Sequence, residues 1–209
     1  MNMETAEQVK AVKQSFRLMM DGAVAKSMRD KGLEYKLNWG VTLPRLRDMA
    51  EDIKSRQSCY DLAIALWKED VRECKILATM LMPPDRMLPE VVDIWMEQLV
   101  SQEVAEQLSF NLWQHLPFAP AKAYQWIASE KELYQLCGFH VLTRLLMNGQ
   151  EPNERGINEL LDQALCALQG PFPSVRKAAL QCVRRFAEMG IMYERMAKNV
   201  LKSVNLELF

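Results

Sequence analysis

The residues of this chain that could do chemistry are few and widely spaced. Glu103 and Gln107 stand four apart on a stretch whose apolar residues, Val104 and Leu108, face the other way. On a helix such a pair shares one surface. With Glu106 beside it, a carboxylate there could stabilise developing positive charge, and the plainer expectation is a solvated polar face. Arg45 and Arg47 follow a predicted helix start at Thr42 and Pro44, where backbone amides also attract anions. Arg176, Lys177, Arg184 and Arg185 make two basic pairs eight residues apart. On a helix that spacing turns the pairs by roughly 80°, so they share a broad face. These six cations are the candidate contacts to nucleic-acid phosphate.

Other reactive constellations are lacking. His115 and His140 stand near no cysteine or carboxylate cluster of metal-ligand spacing, so no metal is expected. Cys59, Cys74, Cys137, Cys166 and Cys182 include no CxxC pair and sit in apolar patterns, which predicts buried, reduced thiols. No phosphate-binding glycine loop, GxSxG elbow or HExxH motif occurs, so no cofactor is expected. The tryptophans at 39, 67, 95, 113 and 126 mostly follow apolar periodicity and are expected in the core. Arg72 and Glu73 are expected to tie neighbouring helices together.

The elements that must position these residues read as helices almost throughout. In Val71–Met82, the residues Val71, Cys74, Leu77, Ala78 and Leu81 fall on one face. Thr42, Ser58 and Asp70 are candidate helix caps. Pro83 and Pro84 end a helix, because proline lacks the amide donor and disfavours helix in the residue before it. Pro117 with Pro120, Gly149 to Pro152 and Gly170 to Pro173 mark further breaks. Helix pairs then recur over 58–82, 88–116, 118–147 and 154–189, a spacing typical of HEAT-like repeats. The expectation is an all-α, HEAT-like helical-repeat solenoid of about twelve helices. It would form a single domain over 1–209 with a concave binding face.

Composition and charge narrow the class. The chain has 209 residues, 25% charged and 49% apolar, with 8 Gly and 9 Pro, which is ordinary for a globular protein. Residues 1–20 show no secretory pattern and no apolar run approaches a membrane span. A soluble, cytoplasmic protein without membrane contact is expected. Net charge is −1 overall. Residues 1–57 carry +3, residues 58–170 carry −8 and residues 171–209 carry +4. Basic ends suit phosphate, whereas the acidic middle repels it and would suit a basic protein partner.

Several stretches resemble the AlkD-type DNA alkylation repair family. Gly40-Val41-Thr42-Leu43-Pro44-Arg45-Leu46-Arg47 is similar to that family's Gly-aliphatic-x-x-Pro-x-x-Arg helix start. Leu66-Trp67 with Arg72-Glu73 and Ala78 resembles its Leu-Trp-x4-Arg-Glu helix pair. Trp126-Ile127-Ala128-Ser129 and Arg176-Lys177-Ala178 with Arg184 complete the series, which spans roughly residues 20–190 in order.

The resemblance implies a curved array whose concave groove holds duplex DNA. It also implies glycosylase chemistry, carried in the family by a Trp and an Asp on one helix, an Arg on a later helix and a second Trp. Here Glu103 stands at the first Trp, Gln107 at the Asp, Leu136 at the Arg and Gln181 at the second Trp. A neutral amide cannot stabilise an oxocarbenium-like sugar as a carboxylate does, and one such contact is worth about 3–4 kcal/mol in the transition state. The expected function is therefore DNA binding with base excision lost. The alternatives are a protein-interaction scaffold and an alkylpurine glycosylase in which Glu103 or Glu106 replaces the missing carboxylate.

Overall fold

In a computed structural model, the structure describes residues 3–33 and 35–205. Among these there are twelve α-helices and no strand. They are α1 (Met3–Leu18), α2 (Gly22–Asp30), α3 (Leu43–Arg56), α4 (Tyr60–Trp67), α5 (Arg72–Leu81), α6 (Pro89–Glu97), α7 (Gln102–Asn111), α8 (Ala119–Ile127), α9 (Glu132–Met147), α10 (Glu154–Gln169), α11 (Pro173–Ala187) and α12 (Ile191–Ser203). Short 3-10 turns occupy Pro84–Arg86 and Trp113–His115.

Helix starts are set by proline more than by the caps read from sequence. Proline stands in the first turn of α3, α6, α8 and α11, where its missing amide is not needed and its fixed φ suits a helix. Thr42 precedes α3 without a side-chain cap bond, and Cys59 and Val71, rather than Ser58 and Asp70, precede α4 and α5. Among the described residues, Asp21, Ser101 and Asn153 are side-chain caps, which accept from Ala23 and Val24, from Val104 and from Gly156 respectively.

The chain divides into two compact units, Met1–Leu112 and Trp113–Phe209. In the first, α5 is buried along its whole length, packed by α3, α4 and α7. Trp67 on α4 stacks on Trp95 of α6 with ring centroids 4.2 Å apart, and its indole Nε1 donates to Gln98 Oε1 at 2.7 Å. Helix α1 packs on α4, and its Phe16 lies beside Trp39. In the second unit, α9 lies between α8 and α11. Gly138 permits the α8 contact: a Cβ there would lie 2.8 Å from the Ala123 carbonyl oxygen. Four of the five tryptophans are buried, and Trp39 is half-buried. The cysteines follow expectation except Cys166, which is exposed on α10.

Candidate nucleic-acid interface

The charged residues of the first unit sort into a buried cluster and an exposed fringe. Arg72 opens α5 and is 1% exposed. Its Nε and Nη2 donate to both oxygens of Glu103 at 2.9 and 2.6 Å, and its Nη1 donates to the Val41 carbonyl at 2.9 Å. Glu73, wholly buried, accepts from the backbone amides of Trp39 and Val41. Tyr35 adds its hydroxyl, 2.7 Å from both Glu103 Oε2 and Ser101 Oγ. Burial, and then the Glu103 charge, push the Tyr35 phenol well above its usual range. Burial works against the Arg72 cation, yet the hydrogen bonds and charge of Glu103, with Glu73 behind, outweigh it and raise its pKa.

This cluster holds the segment before α3. Gly40 turns there with φ +75°, and a Cβ at that position would fall 2.2 Å from the Asp21 carbonyl oxygen, so glycine is required both by conformation and by space. The Glu103 side chain is 16% exposed. It departs from the solvated face expected of it, because both its oxygens are engaged by Arg72 and Tyr35. Gln107, one turn on, is half-buried. It accepts from Asn111 Nδ2 at 3.2 Å, and Asn111 also donates to Thr79 Oγ1 at 2.8 Å. Glu106 accepts from Gln102 Nε2 at 2.9 Å. Neither carboxylate on α7 is left without a partner.

The fringe lies on α3. Arg45 is exposed and donates to the Met19 carbonyl at 3.2 Å. Arg47 is exposed and sits over the ring of Phe110, 5.9 Å from its centroid, near the outer limit of a cation–π contact. Both guanidinium groups keep donors free for an anion, since each has five.

In the second unit the candidates share α11. Arg176, Lys177, Gln181 and Arg184 are exposed, and Arg185 is half-exposed. At 100° per residue, Arg176, Lys177, Gln181 and Arg184 span roughly 140° of the helix. Arg176 donates to the Gly170 carbonyl at 2.7 Å, and Arg185 pairs with Glu188 at 2.5 Å. Lys177 and Arg184, which lie almost in line one above the other, have no ion-pair partner among the described residues. Gln181 falls between them. Leu136 and Cys137 are buried inside α9, so the position that the resemblance gives to an arginine lies in the core. The Arg72–Glu103–Tyr35 cluster has no local sequence signal, since its partners are 31 and 68 residues apart. Among the described residues no group of His, Cys, Asp or Glu could hold a metal, and no helix is long and apolar enough to cross a membrane.

No curated protein matches the chain by sequence. Among solved structures, one that overlays well has a TM-score of 0.80 at 18% identity, over 94% of this chain and 83% of its own. It is described as "A new family of proteins related to the HEAT-like repeat DNA glycosylases with affinity for branched DNA structures". At that identity the likeness shows a shared HEAT-like fold. The family described as "DNA alkylation repair enzyme" matches residues 12–189. That span covers most of the chain, and the chain belongs to this family.

Proposed function

We propose that this protein binds DNA through its phosphate backbone, favours branched over linear duplex, and does not excise bases. The observation that carries the reading is the exposed basic face of α11, where Lys177 and Arg184 flank Gln181 with no ion-pair partner among the described residues. Arg176 extends the phosphate contacts on α11, and Arg45 and Arg47 offer separate ones within the first unit. Such contacts fix position without reading sequence, which suits recognition by shape. The preference for branched DNA follows the affinity described for the structure that shares the fold. Loss of excision is supported by the four positions named above. Glu103 is taken up by Arg72, Gln107 is neutral, Leu136 is buried and Gln181 brings no aromatic face.

Fluorescence anisotropy with linear, branched and alkylated duplexes tests this reading. Salt-sensitive binding at micromolar concentration or tighter is expected, with the branched ligand bound best. Lys177→Glu with Arg184→Glu should weaken all three and lower the slope of log affinity against log salt by about 2, near 0.9 for each phosphate contact. Wild-type protein that binds none of them at low salt would sink the reading. A protein scaffold is the second reading, favoured by the first unit, which carries 15 basic and 18 acidic residues and exposes Leu88 and Ile94. Partners that survive nuclease in a pull-down, together with no DNA binding, would establish it. Residual release of alkylpurines, abolished by Glu106→Gln, would instead support a rearranged glycosylase.

A further inference from the structure

We propose that Lys10, Lys13 and Arg17 on α1 form a second phosphate-binding face, which takes the backbone of a second arm when the protein holds branched DNA. The inference rests on the DNA reading above and adds to it a surface on a different side of the first unit. With Gln14, these residues follow the i, i+3, i+4, i+7 spacing of a single helical stripe. Lys10 and Arg17 lie about 10 Å apart along the axis, which matches three base-pair steps of 3.4 Å. The stripe borders a depression of about 350 Å³ that Glu69 also lines.

Charge makes this a surface for an anion. Lys10 and Arg17 are exposed and have no ion-pair partner among the described residues. Lys13 is half-buried and donates to Glu69 at 2.7 Å. Glu69 therefore neutralises one cation of the three and fixes Lys13 in place. Lys10 and Arg17, two turns apart, are left as the cations that meet a polyanion.

Its direction separates the stripe from Arg45 and Arg47. Helix α1 presents Gln8, Ala11, Ser15 and Leu18 to a groove shared with Arg45 and Asp48 of α3. The stripe is turned from that groove by roughly 140° about the α1 axis. DNA is stiff, with a persistence length of about 50 nm, so a duplex seated on α3 cannot bend around one helix to reach Lys10. A second arm leaving a junction can.

The test uses the full chain with Lys10→Glu and Arg17→Glu combined, leaving Lys13 to its partner. Anisotropy would be read with a four-way junction, with a linear duplex of one arm's sequence, and with phosphatidylserine vesicles. Affinity for the junction should fall by about tenfold or more at low salt, and its salt slope by about 2. Affinity for the linear duplex should stay unchanged, and an unaltered circular dichroism spectrum and Tm would show the fold intact. The charge-conserving pair Lys10→Arg and Arg17→Lys should keep the junction preference. Equal losses on both DNAs, or no loss on the junction, would overturn the second face. So would loss of vesicle binding alone, which would assign the stripe to an anionic membrane surface. Failure here with linear binding intact leaves the DNA reading standing, whereas wild-type protein that binds no DNA defeats both.

Discussion

At the scale of residues, the most consequential substitution is the carboxylate at 103. An ordinary ion pair on an exposed helix contributes about 1 kcal/mol or less. Arg72 is different, because it is 1% exposed and Glu103 supplies two of its hydrogen bonds. Removing one partner of a buried pair costs about 3–5 kcal/mol where the remaining charge is uncompensated, and Glu73, 3.3 Å from Arg72 Nη1, holds the cost here to the lower end. Glu103→Gln should therefore lower the unfolding free energy read from urea melts by roughly 3 kcal/mol, whereas Glu106→Gln should stay within about 0.5 kcal/mol of wild type. Equal midpoints for the two variants would show that Glu103 is not structural. Sequence reading found position 103 but not its work, because helical spacing reports which residues share a face and not which distant side chain meets them. Tyr35 escaped for the same reason. The thiols allow a second check. Burial pushes Cys74 and Cys182 up to about 12, and Cys166 is exposed. Iodoacetamide at pH 8 should alkylate native protein mainly at Cys166, and the others only in denaturant, as mass spectrometry would read. Rapid labelling of Cys182 in the native state would contradict its burial.

Among the elements, helices were legible because their apolar period is strong, and their boundaries because proline punctuates them. The all-helical class, the four paired spans and the breaks at Pro83, Pro120 and Pro173 all have this local origin. Cap residues were less legible, since a serine or aspartate near a helix start is only a candidate until the backbone turns toward it. Ser58 and Asp70 lost to their neighbours, and Ser101 and Asn153 carry real cap bonds. The segment leading into α3 depends on one glycine. A side chain at Gly40 would meet the Asp21 carbonyl and need a left-handed φ, while Gly149, also left-handed with φ +75°, opens onto free space. Gly40→Ala should thus destabilise far more than Gly149→Ala, for which backbone strain alone costs about 1 kcal/mol. Thermal melts of the two variants decide it, and comparable losses would mean that the close approach at Gly40 relaxes freely.

For the whole molecule, the fold limits what can be restored. Chemistry on a glycosidic bond needs its groups together, and the losses of such groups are not additive. Gln107→Asp would return a carboxylate to α7, but the aromatic residues and the arginine of the family pattern would still be missing. Glu103→Trp would return one aromatic at the cost of the two hydrogen bonds that Arg72 donates to Glu103 in the interior. On the proposed reading, loss of excision would be held by folding as well as by missing chemistry, because Glu103 supports the segment before α3 through Arg72. The basic face of α11, proposed above to meet DNA, is independent of that exchange. It belongs to the second unit, which carries 11 basic and 9 acidic residues against the acidic balance of the first. Gln107→Asp alone is therefore expected to keep DNA affinity and to release no alkylated purine above the spontaneous rate, measured by mass spectrometry of free bases from methylated DNA. The combination Glu103→Trp with Gln107→Asp should lose stability before it gains excision. Catalytic release by the single variant would show that one carboxylate suffices here, and would move the loss of activity from the constellation to Gln107 alone.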